Sequence, residues 1–209
     1  MECDLKVKQV LLNKKTGFAF LLLVVTASAT MGVSELIQFL YPDRPIVPDI
    51  FFSIFPEVPF FAYLSEPIMF LSIITILLHL FRKEPTQVPF FFFTLALIYL
   101  LRGPLMLLTP LGRPTGNLDS YGIFEVIELK QHGMFPSGHM MLSAIFYFFV
   151  KGKEYGKTRK ILAWLAFLQG FVLLISRGHY SIDIVGGIMS AYIIDRLSLR
   201  YKAKWIIGS

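Results

Sequence analysis

Charged residues are scarce in this chain: Asp, Glu, Lys and Arg together make up 16% of its 209 residues. A soluble domain carries roughly a quarter, so the deficit excludes an ordinary water-exposed globule and points to a membrane protein. Cysteine is almost missing. The single Cys3 rules out an intrachain disulfide and any cysteine-based metal cluster, and leaves the redox compartment open. There is no internal repeat, no low-complexity tract, and no grouping that resembles a carboxylate-rich magnesium site or a closed zinc site. What is abundant is apolar: 55% of the residues are hydrophobic and 15% aromatic, with a phenylalanine cluster at Pro89 to Phe93 suited to lipid contact.

Apolar segments lie near 17–40, 59–81, 88–108, 134–150, 161–175 and 180–194. A helix needs about 20 residues to cross the hydrocarbon, within a range of roughly 17–25. The last three are short by that count, but each can extend into flanking polar residues. The expectation is an all-α, polytopic membrane protein: a single six-transmembrane-helix bundle occupying residues 1–209.

The basic residues test that layout. With the N-terminus in the cytoplasm, the inner side receives all but five of the twenty lysines and arginines; the outer side holds only Arg44, Arg102, Arg113, Lys130 and Arg177. Every inner loop is basic, as the positive-inside rule requires. The net charge of +6 therefore reads as a topogenic signal. Its partner is anionic lipid rather than nucleic acid, and both termini fall in the cytoplasm. Lys14-Lys15 followed by an apolar run and Ala27-Ser28-Ala29 also fits a signal peptide. The apolar character continues through Met31, Val33, Leu36, Ile37, Phe39 and Leu40, which favours an uncleaved first span.

Under this topology, residues far apart in sequence converge on the outer, exoplasmic face: Arg102, His139, Arg177, His179 and Asp183. His79 falls at the opposite end of the second span and is excluded, and His132 reads as a loop residue. His179 and Asp183 are four apart, so on a helix they share one face within hydrogen-bond reach. A carboxylate accepting from one ring nitrogen fixes the tautomer and leaves the other as a nucleophile. The second histidine, His139, can protonate a leaving oxygen. Pro136-Ser137-Gly138-His139 reads as a helix start whose free amides bind an anion, with Gly138 allowing close approach and Ser137 adding a hydroxyl. Arg102 and Arg177 can hold phosphate oxygens in bidentate fashion; Arg113 can do the same or bind lipid headgroups. Two histidines, a carboxylate and arginines at a membrane mouth suit transfer of a phosphoryl group carried by a lipid, with no metal or other cofactor required.

Two blocks carry a family resemblance. Pro136-Ser137-Gly138-His139 and the His179-to-Asp183 spacing resemble the second and third signatures of the type 2 phosphatidic acid phosphatase superfamily. His179-Tyr180-Ser181-Ile182-Asp183-Ile184 is closer still to the fourth motif of its sphingomyelin synthase branch. That branch also has a tyrosine, two residues, an arginine, six residues and a threonine, here Tyr99, Arg102 and Thr109. Pro45-Ile46-Val47-Pro48-Asp49 is similar to its proline-rich first motif. The likeness covers roughly residues 42 to 190. Three departures stand out: Met106 replaces the phosphatase branch's lysine seven residues before an Arg-Pro, Arg177 is unusually close to His179, and the synthase's Cys-Gly-Asp is missing before Ser137.

The resemblance implies a His-His-Asp triad, with His179 the nucleophile, Asp183 its orienting partner and His139 the acid/base. It implies a phosphohistidine-type intermediate and a phospholipid donor. The acceptor is ceramide or diacylglycerol for a headgroup phosphotransferase, or water for a lipid phosphate phosphatase. A transferase must also hold a headgroup that is often cationic. Glu35 and Glu66, with Tyr99 and nearby Tyr41 or Tyr63, are placed to meet one, although helix-to-helix hydrogen bonding suits the two glutamates equally. A non-enzymatic reading, haem held between His139 and His179 in an electron carrier, explains neither the arginines nor Pro-Ser-Gly.

Overall fold

The computed structural model describes residues 2–114 and 133–207; Lys130 and His132 lie outside the described residues. The chain is helical, with no strand among those residues. Helix α1 (Glu2–Leu11) leads into α2 (Lys14–Leu40), whose start is capped by the Asn13 side chain accepting from the Lys15 amide at 2.9 Å. A proline-rich segment follows, then the single turn α3 (Ile50–Ile54), capped by Asp49. Next come α4 (Ala62–Lys83), α5 (Val88–Leu108), α6 (Gly138–Phe149), α7 (Gly156–Ile175), α8 (Ser181–Leu199) and the short α9 (Lys202–Trp205).

Each of the six expected apolar segments contains a helix, but four helical stretches are long and apolar enough to cross a membrane: Lys14–Leu40, Pro59–Lys83, Pro85–Leu108 and Lys153–Ile175. The fourth expected segment, 134–150, becomes a helix of 12 residues, because the chain turns at Phe135-Pro136-Ser137 before α6 begins. At 1.5 Å per residue that is about 18 Å, against a hydrocarbon core of about 30 Å. Helix α8 has 19 residues but carries Asp183, Asp195 and Arg196.

Packing places α6 at the centre. It touches α4, α5, α7 and α8, while α2 packs along α5 and α4 along α7. Met141, Ile145 and Phe146 of α6 are buried, together with Ile98, Leu173 and Ala191 from the surrounding helices. Small residues set the close approaches, as expected where lipid cannot drive helices together by itself. A Cβ added at Gly187 of α8 would lie 2.9 Å from Met140 Cβ and 3.1 Å from the Ser137 carbonyl oxygen. Thr30 of α2 donates its hydroxyl to the Tyr99 carbonyl of α5 at 2.9 Å, and Gln169 of α7 donates to Ser65 Oγ of α4 at 2.8 Å. At the lysine-rich end, Lys151 binds both carboxylate oxygens of the buried Asp195 at 2.8 and 2.7 Å. His79 meets Glu84 at that same end, at 3.0 Å.

Candidate active site

The turn between α7 and α8 positions His179. Arg177 takes a left-handed backbone, φ 52°, and the Gly178 and His179 amides fold back onto the Leu173 carbonyl at 2.9 and 3.3 Å. This ends α7 and delivers the chain into Tyr180, the N-cap of α8. Asp183, at the third helical position, reaches back: its Oδ2 accepts from the Tyr180 amide at 3.0 Å and lies 3.1 Å from His179 Nδ1. The expected His179–Asp183 contact is therefore present, but its geometry differs from the expectation. His179 precedes the helix, and the pair forms because a carboxylate three residues into a helix naturally bonds the cap. Occupation of Nδ1 leaves Nε2 for a substrate. Asp183 is fully buried and its Oδ1 has no hydrogen-bond partner among the described residues.

The start of α6 lies against this turn. The Ser137 amide donates to the Asp183 carbonyl at 3.1 Å, joining the two motifs directly. The Ser137 hydroxyl accepts from the Met140 amide at 3.3 Å, and the residue is completely buried. It acts as an N-cap here; the structure does not present it as a phosphate donor. Arg102, on α5, runs beneath the segment and donates from Nε to the Pro136 carbonyl at 3.2 Å and from Nη2 to the Gly133 carbonyl at 3.4 Å. A Cβ at Gly138 would sit 3.1 Å from both Cζ and Nε of Arg102, so glycine is what admits the guanidinium.

Arg102, Gly138 and His139 border a cavity of about 210 Å³ between α4, α5 and α6; His179, Asp183 and Ser137 are not among its lining residues. Its polar walls are Glu66, Tyr99, Arg102 and His139; Met69, Phe70, Ile73 and Leu142 supply the apolar ones. His139 lies within Coulombic range of His179 and Arg102, and Arg102 within range of Asp183. Several residues named from the sequence stand elsewhere. Arg177 is turned toward the segment between α2 and α4, with Nη1 3.7 Å from Glu57 and Nη2 3.5 Å from the Phe52 carbonyl. Its guanidinium carbon stands 5.3 Å above the Phe52 ring. Glu35 is exposed on α2, as are Tyr41 and Tyr63. Arg113 is half-buried in the loop after α5. It stands close to Arg44, whose pKa lies below the ordinary guanidinium value because of burial and then the Arg113 charge.

One residue was named from the sequence only as part of the proline-rich motif, without a role: Asp49, whose Oδ2 accepts from the Ser181 amide at 2.6 Å. The proline-rich stretch was its only signal. Among the described residues, no three His, Cys, Asp or Glu side chains are grouped to hold a metal ion.

The model of the family described as AtPDCT1/2 matches residues 68–200, which contain Arg102, both motifs and the cavity-lining face of α6. The chain is also 28% identical over 204 aligned residues to the phosphatidylcholine:ceramide cholinephosphotransferase 1 of Caenorhabditis elegans. That alignment takes in 82% of this chain and 43% of the relative, so the chain spans less than half the length of the protein it matches.

Proposed function

The chain belongs to the AtPDCT1/2 family, a sphingomyelin synthase-like branch of the lipid phosphatase/phosphotransferase superfamily, and on that premise we propose that it is an integral-membrane lipid headgroup phosphotransferase. The donor is phosphatidylcholine and the acceptor is the hydroxyl of diacylglycerol or ceramide, the pairs for which the family and the worm relative are named. The observation that carries the reading is the junction of the two motifs. The buried His179–Asp183 pair is hydrogen-bonded to the start of α6, next to a cavity lined by His139, Arg102, Tyr99 and Glu66.

The reaction is a double displacement. The Nε2 lone pair of His179 attacks phosphorus, the bond from phosphorus to the glycerol oxygen breaks, and His139 gives that oxygen its proton. Phosphocholine is then held on His179 as a phosphohistidine-type intermediate. His139, now the base, takes the proton of the acceptor hydroxyl; the acceptor oxygen attacks phosphorus and the phosphorus–nitrogen bond breaks. Asp183 stabilises the imidazolium, and Arg102 with the first amides of α6 stabilises charge on the phosphoryl oxygens. Tyr99 and Glu66 face the trimethylammonium group, for which an aromatic face and a carboxylate are the fitting partners. No step calls for a metal.

We place six crossings in the membrane, α6 completing its span with the non-helical segment before it. The lysine-rich loops and both ends lie in the cytoplasm, so the cavity opens to the exoplasmic leaflet. A lipid phosphate phosphatase, with water as acceptor, is the second reading, supported by Pro136 ahead of Ser137-Gly138-His139. Purified protein in liposomes containing choline-labelled phosphatidylcholine, with diacylglycerol, with ceramide, or with neither, tests the choice. Label moving into a new lipid only when an acceptor is present supports the transferase. Release of water-soluble phosphocholine alone overturns it, as does release of inorganic phosphate from added phosphatidic acid with no label moved.

A further inference from the structure

We propose that Asp49 is a positioning residue for the nucleophile, clamping the first turn of α8 from the opposite side to Asp183; this rests on the transferase reading above. Two successive backbone amides precede the body of α8, and a different carboxylate takes each: Asp183 accepts from Tyr180 N at 3.0 Å and Asp49 from Ser181 N at 2.6 Å. Amides at a helix start have no partner within the helix, and a carboxylate there also meets the positive end of the helix dipole. Most helices satisfy these groups with a residue of their own first turn. Here the second carboxylate comes from 132 positions earlier in the chain.

Asp49 is itself held. Its Oδ1 accepts from the Phe51 amide at 2.9 Å, so one carboxylate caps α3 and α8 together. The chain on either side of it is tied to the same turn. Val47 N donates to Tyr180 Oη at 3.4 Å, the Phe52 and Tyr180 rings lie 5.9 Å apart, and Val58 N donates to the Ile175 carbonyl at 3.0 Å. Arg177 adds its contacts to Phe52 and Glu57. Residues 47–58 thus form a strap across the turn that carries His179, with Asp49 as its shortest link. Tyr180 is completely buried between strap and bundle. Ile50 and Ile54 of α3 stay largely exposed, at 70% and 64%, an apolar edge suited to rest on the bilayer surface. The strap transmits that anchorage to the position of the imidazole. Asp49 lines no part of the cavity around His139, so its effect on turnover runs through the turn.

The test compares wild type, Asp49→Ala and Asp49→Asn in liposomes, reading headgroup transfer and backbone amide exchange on the full chain. Asparagine has one carbonyl oxygen for two amides, so it keeps one link and breaks the other. For Asp49→Ala we expect kcat to fall on the order of tenfold to a hundredfold, the range for a displaced catalytic group, with KM for phosphatidylcholine nearly unchanged. Asp49→Asn should fall between. The Ser181 amide should exchange faster in Asp49→Ala, and either the Ser181 or the Phe51 amide in Asp49→Asn, while Ala191, mid-helix in α8, stays protected. Wild-type kcat in Asp49→Ala, or a raised KM with unchanged kcat, overturns the positioning role. Unchanged exchange at Ser181 in Asp49→Ala overturns the clamp itself, and if that variant does not fold, unchanged exchange at both Ser181 and Phe51 in Asp49→Asn does so. A wild-type protein that moves no headgroup refutes the transferase reading instead, and the exchange comparison still decides the clamp.

Discussion

Asp183→Asn separates the charge of this carboxylate from its structural work. Oδ2 serves two donors at once, the Tyr180 amide and His179 Nδ1. An asparagine oxygen at the same place accepts both bonds, so the cap on α8 survives. The amide nitrogen then takes the place of Oδ1, which has no partner among the described residues and hence no donor to oppose it. What disappears is the negative charge beside an imidazole that becomes cationic during transfer. A hydrogen bond to a charged group contributes about 1.5–3 kcal/mol. At about 1.4 kcal/mol per factor of ten, that alone is a loss of roughly 10- to 150-fold. Burial removes the screening that would soften the effect. In a serine protease triad the same exchange lowers kcat about 10⁴-fold. We therefore expect transfer to fall by about 10²- to 10⁴-fold with the melting temperature nearly unchanged, and His179→Ala to give no turnover and no trapped intermediate. The assay is initial-rate headgroup transfer in liposomes alongside thermal unfolding in detergent. An Asn variant within about threefold of wild type, under 1 kcal/mol of barrier, would remove Asp183 from the mechanism.

Gly138→Ala should push the Arg102 guanidinium by a few tenths of an ångström, since the new methyl meets Cζ and Nε at 3.1 Å. Activity should drop on the order of tenfold or more with little loss of folded protein by size exclusion; full activity would detach Arg102 from the chemistry. Transfer should survive EDTA, because the proposed mechanism draws its positive charge from Arg102 and the histidines; loss restored by one divalent ion would refute that. With Cys3 replaced by serine, a cysteine at Asp43 should react with an impermeant thiol reagent applied outside, and one at Lys153 only after permeabilisation. The reverse pattern would put the cavity on the cytoplasmic leaflet.

The helical class, the apolar segments and the heart of the site are legible in the linear chain, because each rests on short-range chemistry. A lysine in a loop or an apolar stretch marks topology locally, and a carboxylate four residues after a histidine can reach it in any helix start. His139, His179, Asp183 and Arg102 were singled out by motif spacing, topology and family resemblance, and the structure brings His179 to Asp183 and Arg102 to the start of α6. Other features depend on what folds beside what. Arg177 stands two residues from His179, yet its left-handed backbone aims it at Glu57 and Phe52, away from the cavity. Ser137 reads as a ligand in sequence, but its burial makes it a cap. The shortness of α6 follows from the turn at its start, and apolar composition runs straight through that turn.

Asp49 shows the division most clearly. In sequence it is an aspartate after two prolines, and no local spacing ties it to a histidine 130 residues later. The strap's docking brings its second oxygen to 2.6 Å from the Ser181 amide. Composition and spacing determined the class of protein and the residues able to do the chemistry, since those depend on residue type and local periodicity. Which of them share a cavity, and what holds the nucleophile still, were decided by tertiary packing, because a hydrogen bond between distant segments depends on geometry that no short stretch of chain contains.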